Sequence, residues 1–458
     1  CYSSVKTNTT MNRFIITLAI LLIAGALNGQ HVLDQYIQEG IKNNTSLRQT
    51  SLEFEASLEA LNEAKGGMLP TVDFSSRYTK ATGGRSFVFP VGDLMNPVYN
   101  SLNELVGEEQ FPQIENLNLN FNRTTDIDTK VSVSQRVFDK RVSYQRNIAE
   151  DQAKMSQVEI TIQKRHLIAD IKKAYFNYMK TEKLRELLDA TRTLVEENLR
   201  VSESLYNNDK VTMDVVLRAK TEISKVDLQI AEADKMRNNA RAYFNYLLDN
   251  PLENDILTEE VTQNPTLPGQ LPEEIKNREE FNKIDLGLKA NESERKLYES
   301  NNLPNIYASV DYGFQGTEYV FNNDSDYALA SLVLSWNLFS GFQNKARKQK
   351  AIINGQILQT KEKQLQNNIK LEAIQAFYDL KEKRQSFNST EKMTNEAEST
   401  YTLIERKYKE GIASQLELID ARTSLTNARI RKIISKYDTW ISHSEYERVT
   451  ATYPIENL

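Results

Sequence analysis

Met68-Leu69-Pro70-Thr71-Val72 is answered by Asn302-Leu303-Pro304-Asn305-Ile306, and that echo decides the fold. It does not stand alone. Ser134-Gln135-Arg136-Val137-Phe138 returns as Ser335-Trp336-Asn337-Leu338-Phe339, and Ala174-Tyr175-Phe176 returns as Ala376-Phe377-Tyr378. The run from Tyr206 to Ala219-Lys220-Thr221 comes back 202 residues later, as Tyr408 to Ala421-Arg422-Thr423. Each copy reads helix, strand, long loop, strand, very long helix, turn, helix. Duplication on this scale predicts a pseudo-symmetric architecture whose function belongs to a shape rather than to one site.

Working outward, the prolines mark the breaks. All 10 lie outside the stretches 139–206, 213–249, 340–408 and 413–448, as long helices require. Within 213–249, Val216, Ala219, Ile223, Val226, Ile230, Ala233, Ala240, Phe244 and Leu247 follow steps of three and four, a coiled-coil seam interrupted only by Arg237. Ala397, Tyr401, Ile404 and Tyr408 keep the same rhythm in the second copy. A helix over 140–206 reaches ~100 Å at 1.5 Å per residue, too long for a compact globule.

The strands, expected at about 71–80, 127–138, 305–315 and 327–339, alternate. Ile127, Thr129, Val131 and Val133 share one parity against Asp128, Lys130, Ser132 and Ser134. Val72, Phe74 and Tyr78 do the same, as do Ile306 through Phe314 and Ala328 through Leu338. One apolar and one polar face is the pattern of a barrel wall, with a soluble antiparallel sheet covered by helices as the alternative. Four strands cannot close around a pore, and an open edge in lipid leaves backbone groups unpaired. Membrane strands here therefore predict an oligomer.

The totals narrow the class. The only cysteine is Cys1, so no disulfide framework is expected. His31, His166 and His443 lie far apart without metal-ligand spacing, and a surface or helix-face role is expected for each. A net charge of -6 without a basic stripe argues against nucleic acid. Residues 1–30 read as a leader, with a start at Met11, a flank at Arg13, an apolar run Phe14 to Ala24 and a cleavage site at Ala24-Gly25-Ala26. The first repeat then covers 31–250 and a proline-rich linker 251–272. The second repeat covers 273–450 and a tail 451–458. The loop from Thr82 to about Arg123, rich in Gly, Pro and Asn, is far longer than its counterpart between Gly316 and Tyr327. It reads either as a lid at an outer mouth or as a tolerated surface insertion.

The order and duplication of these pieces, together with Tyr408-Lys409-Glu410-Gly411-Ile412-Ala413-Ser414-Gln415-Leu416-Glu417-Leu418-Ile419-Asp420-Ala421, resemble the TolC family of outer-membrane efflux proteins. The resemblance spans about 31–450. It implies a mainly α fold with a small β part: a long α-helical coiled-coil barrel plus four transmembrane strands per chain, three chains closing a 12-stranded barrel. It further implies a location in the outer membrane extending into the periplasm. The chain would be the passive exit duct of a tripartite efflux or type I secretion system. Its partners would be two further copies, a periplasmic adaptor, an inner-membrane pump of resistance-nodulation-division or ABC type, and outer-membrane lipid. No catalysis and no cofactor are implied.

By the same resemblance the turns near 207–212 and 409–414 form the periplasmic tip, with Gly411 and Asp209 at the turning positions. Glu417 and Asp420, at i and i+3, would ring the entrance constriction. Three chains would gather six carboxylates, which attract cations and raise one another's pKa. The alternative is a solvated face pairing with Arg422 or Lys407. Tyr408 and Asp214 occupy positions resembling the family's closing contacts. Asp209 stands where the first copy often has glycine, and Ala413 replaces a basic partner, so the closed tip is expected to be held differently. A periplasmic adaptor or coiled-coil structural protein is the competing function, although adaptors carry one hairpin rather than two.

Overall fold

The computed structural model describes residues 31–261, 264–270, 275 and 277–455. The expected leader, with Met11 and its cleavage site, lies outside the described residues, as do parts of the linker and the last three residues of the tail. Eight helices and six strands follow one another among the described residues. They are α1 (His31–Asn43), α2 (Thr45–Gly66), β1 (Thr71–Lys80), β2 (Ser86–Phe89), α3 (Val91–Val106), β3 (Leu117–Asn120) and β4 (Thr125–Phe138). Then come α4 (Lys140–Asn207), α5 (Met213–Leu247), α6 (Glu279–Ser300), β5 (Asn305–Gly316), β6 (Asp326–Ser335), α7 (Gln343–Lys409) and α8 (Gln415–Thr450). The fold is mainly α with a small β part. None of the described helices is long and apolar enough to cross a membrane.

Two compact units divide the chain, and each takes pieces of both repeats. The helical unit takes in the described residues of 31–59, 150–290 and 354–455. Its core gathers Ile37 of α1, Ile171, Tyr175 and Phe176 of α4, Phe244 of α5 and Tyr437 of α8. On α5 the buried apolar residues are Val216, Ala219, Val226, Ala233, Ala240, Phe244 and Leu247, joined near the end by Asn245, so one narrow stripe faces the neighbouring helices. Arg237 reaches off that stripe to Glu182 of α4, 2.5 Å away.

The sheet unit comprises 60–149 and 291–353. Its four-stranded antiparallel sheet has the order β1-β4-β5-β6. The register aligns the parities seen in sequence: Phe74, Val131, Tyr312 and Ala328 stand in one row, Val72, Val133, Val310 and Ala330 in the next. The other face carries Asp73, Ser75, Arg77, Asp128, Lys130 and Asp311. Period-two alternation forces this segregation once the register is set. The apolar face is open: Phe74 is 72% exposed and Leu332 73%. Within one chain, then, the described helices do not cover this face.

Two boundaries depart from the sequence reading. The last strand ends at Ser335 and α7 begins at Gln343, because Gly341 and Phe342 both adopt left-handed backbone ahead of the helix (φ 60° and 62°). The long loop is a folded insertion. β2 pairs with β3, and the Asn96 and Asn103 side chains bond the backbone of Ile114 and Phe111. Gly92 is required there, since a Cβ would stand 2.4 Å from the Ile114 carbonyl oxygen.

Candidate functional site

Two features have functional geometry: the paired helical turns of the helical unit and the open wall of the sheet unit. At the first turn α4 ends by donating the Asp209 and Lys210 amides to the carbonyls of Tyr206 and Leu205, each at 2.9 Å. At the second, Gly411 and Ile412 donate to Tyr408 and Lys407 at 3.0 and 2.8 Å. Both close as Schellman-type caps around a left-handed residue, Asp209 at φ 59° and Gly411 at φ 75°. These four donor–acceptor pairs correspond one to one across the repeat.

The next helix starts differently in the two copies. Ser414 caps α8 with a full capping box: its hydroxyl oxygen accepts from the Glu417 amide at 3.3 Å, while its own amide donates to the Glu417 carboxylate at 2.7 Å. Thr212 caps α5 without a side-chain bond to the helix backbone; its hydroxyl donates to the Asp214 carboxylate instead. Glu417 thus has a local structural task. The bonds from Ser414, backbone and side chain, hold its carboxyl below the usual range, with Lys407 adding to the effect. Asp420 is exposed on the same helix.

The alternative partner Arg422 is not used by either carboxylate. It is buried and donates to Glu222 of α5 at 2.7 Å, both side chains being almost enclosed (8% and 12% exposed). Burial pulls the Arg422 guanidinium down from its ordinary pKa against the pull of Glu222. Gln415 adds a second tie, donating to the Val215 carbonyl at 3.2 Å and the Ser202 hydroxyl at 3.3 Å. Together these contacts fasten the second hairpin to the first. Sequence reasoning missed both. The Ser-x-x-Glu spacing of 414–417 was the available signal for the cap; the 200-residue separation of Arg422 and Glu222 left none.

Within one chain Tyr408 and Asp214 are not brought together. Asp214 engages Thr212 and lies 3.7 Å from Arg218. Tyr408 is half-buried, and burial raises its phenol pKa.

In the sheet, the polar face carries its own ion pairs, Lys130 with Asp311 at 3.0 Å and Arg77 with Asp128 at 3.5 Å. Tyr327 donates to Asp128 at 2.8 Å. On the apolar face the two hydroxyls of Ser76 and Thr129 satisfy each other at 2.8 Å. β1 and β6 are both edges. Ten residues at ~3.3 Å each, tilted by ~45°, rise ~23 Å, close to the ~25 Å apolar band of outer-membrane barrels. The shortest of the four strands has that length.

A model of the outer membrane efflux protein family matches residues 36–247 and again 271–443. The chain belongs to that family. The double match reproduces the internal duplication, one copy to each repeat. Among curated proteins none matches the chain by sequence. Solved structures share its fold at low identity. The Campylobacter jejuni CmeC outer membrane channel is 14% identical with a TM-score of 0.74, over 92% of this chain and 85% of that one. VceC of Vibrio cholerae is 14% identical with a TM-score of 0.73, over 92% and 97%. The open state of the Neisseria gonorrhoeae MtrE channel is 17% identical with a TM-score of 0.73, over 92% and 88%. As an outer membrane efflux protein, the chain has a TolC-like fold of two pseudo-symmetric repeats.

Proposed function

We propose that three copies of this chain close one 12-stranded β-barrel in the outer membrane and one helical tunnel through the periplasm. The assembly is the passive exit duct of a tripartite efflux or type I secretion system. It receives substrate from an inner-membrane pump of resistance-nodulation-division or ABC type through a periplasmic adaptor. The observation that carries this reading is the four-stranded sheet with two bare edges and an open apolar face. In lipid each unpaired backbone group costs several kcal/mol, so β6 of one copy must pair with β1 of the next. Long helices of 68 and 67 residues supply ~100 Å of tunnel wall.

Glu417 and Asp420 line the entrance in this reading. The capping box fixes the Glu417 carboxylate in place and keeps it ionised, which suits a cation-attracting ring. Tyr408 and Asp214 meet across neighbouring copies in the closed tip, where Tyr408 competes with Thr212 and Arg218 for the carboxylate. The test is native mass spectrometry of detergent-extracted protein with conductance in planar bilayers. A trimer with discrete channels is expected; a monomer without current would sink the proposal. Loss of cation preference in Glu417→Gln with Asp420→Asn checks the entrance assignment, and unchanged selectivity would remove it.

A further inference from the structure

The two strand-to-helix junctions of the sheet unit differ in a way that the duplication does not require. In the first, Asp139 alone separates β4 from α4, and its carboxylate is taken up by the Arg141 guanidinium at 2.6 and 2.8 Å. In the second, the chain passes through Trp336 and Phe339 and then bends through Gly341 and Phe342, both at positive φ. Left-handed backbone is disfavoured for every L residue and most of all for bulky ones. Backbone bonds from Gln343 to Ser340 and from Ala346 to Phe342 close the bend, but the Phe342 ring is not buried by the described residues. Phe342 and Phe339 are 70% and 73% exposed and meet edge-to-face, 5.4 Å apart. Trp336 donates its indole N–H to the Asn302 carbonyl at 2.9 Å and leaves its ring exposed.

Cations follow within two turns. Lys345, Arg347 and Lys350 on α7 and Lys140 and Arg146 on α4 are exposed, and among the described residues none of the five has an ion-pair partner. Neighbouring acids are already used: Glu299 by Lys348 at 2.8 Å and Arg295 at 2.7 Å, Asp139 by Arg141. The register places both junctions at one end of the sheet, since Phe138 aligns with Ile306 and Ile306 with Leu334. The insertion leaves from the other end, after Lys80, and carries exposed Glu104, Glu108, Glu109 and Glu115. That end thus mixes these four acids with exposed Lys80 and Arg85, whereas the five cations cluster on the rim at the junction end.

We propose that this rim binds anionic glycerophospholipid, the aromatic rings sitting at the acyl boundary and the five cations on headgroup phosphates. The proposal rests on the sheet being the membrane wall. Along the helix axis Lys345 stands ~5 Å and Lys350 ~12 Å from Phe342. A headgroup layer is ~5–8 Å deep on each side of a ~30 Å hydrocarbon core, and Lys and Arg stems extend to meet it. Outward aromatic rings belong at this depth, which gives the strained Phe342 its purpose. An acidic protein would match the charge and leave the rings unexplained.

The chain holds only two tryptophans, so Trp440→Phe leaves Trp336 as the sole reporter at the rim. In that background, full-length protein is reconstituted in phosphatidylethanolamine, with either it or phosphatidylglycerol carrying brominated acyl chains that quench a nearby indole. Quenching is expected to show phosphatidylglycerol held about fivefold or more tightly, the effect of one basic residue at an anionic surface. Neutralising Lys140, Arg146, Lys345, Arg347 and Lys350 to Gln should bring the ratio to one; if that variant does not insert, K345Q/R347Q/K350Q is expected to lower it by at least fivefold. A ratio of one in the parent, or a ratio unmoved in the neutralised protein, overturns the proposal. Displacement of the bound lipid by millimolar inorganic phosphate or by an acidic polypeptide also overturns it. Alkaline carbonate extraction is scored beside each arm. Protein that resists extraction with no lipid preference loses the rim alone, whereas protein that never inserts takes the channel reading with it.

Discussion

The turns at 207–212 and 409–414 share a backbone and differ in chemistry. Both end a long helix with the same 6→1 and left-handed geometry, yet one uses Asp209 where the other uses Gly411, and one caps with a lone Thr212 where the other builds the Ser414–Glu417 box. The comparison teaches that duplication conserves the path of the chain while the groups that secure it drift. The second turn is the better secured. It has the glycine that left-handed backbone favours, a reciprocal cap, and ties through Gln415 and Arg422 to the first hairpin.

The largest expected effect breaks the tie between the hairpins. Arg422→Ala strands Glu222, almost enclosed, without its buried partner, and removal of one member of such a pair costs about 3–5 kcal/mol. Lys225, 2.8 Å from Glu222 but largely exposed, holds the loss to the lower end. The counterpart of Arg422 in the first copy is Lys220, an exposed residue 3.5 Å from Glu203, and Lys220→Ala should cost under about 1 kcal/mol. Thermal unfolding of the two variants at one scan rate makes the comparison; equal losses would mean that burial is not what separates the copies.

Next come the turning residues. No atom lies within 4 Å of a Cβ built on Gly411, so Gly411→Ala meets only the torsional penalty of left-handed backbone, about 1–2 kcal/mol. Asp209→Gly runs the other way and should stabilise its turn by up to about 1 kcal/mol. Hydrogen exchange at the amides of 209–212 and 411–414 reads each locally, and a loss in Asp209→Gly would contradict the strain argument. The caps follow. Ser414→Ala removes the hydroxyl's bonds to the Glu417 amide and carboxylate, leaves the backbone half of the box in place, and should cost about 1 kcal/mol; Thr212→Ala should cost less than about 0.5 kcal/mol. If both substitutions open their helices alike, the capping box is not the difference.

The fold class was legible because its signals are periodic. Parity along Ile127–Ser134 and its echo along Ile306–Phe314 fixed which face is apolar, and the observed rows, Val72 with Val133 and Val310, add only the register. What escaped was non-periodic. The insertion is held by Asn96 and Asn103 bonding backbone 18 and 8 residues away, and asparagines in a Gly- and Pro-rich stretch read simply as loop. The late start of α7 follows from two left-handed residues, one of them Phe342, which no propensity anticipates. At the tip the cap was legible and went unread. Glu417 was weighed for its charge toward an axis, while Ser414 three residues before it announced a cap.

Its place in the cap makes Glu417 the finest test of the comparison. Its carboxyl is held below the ordinary value by bonds that exist only in the folded turn. The sign follows from linkage: a depressed folded pKa adds stability that is fully present above the unfolded value, near 4.3, and is lost as pH falls through the folded one. Acidification below about pH 4 should therefore open the first turn of α8 before that of α5, whose third position is Val215 and whose Asp214 bonds the Thr212 hydroxyl rather than the cap backbone. Glu417→Gln keeps a capping side chain without the charge, so its turn should hold steady over the same interval. Exchange rates at 415–418, corrected for intrinsic pH dependence and set against 213–216, provide the measurement. If the two turns loosen in parallel, or if Glu417→Gln loosens as the parent does, Glu417 does not secure its turn through the ionised cap, and the contrast between the copies reduces to Gly411 and the buried Arg422–Glu222 pair.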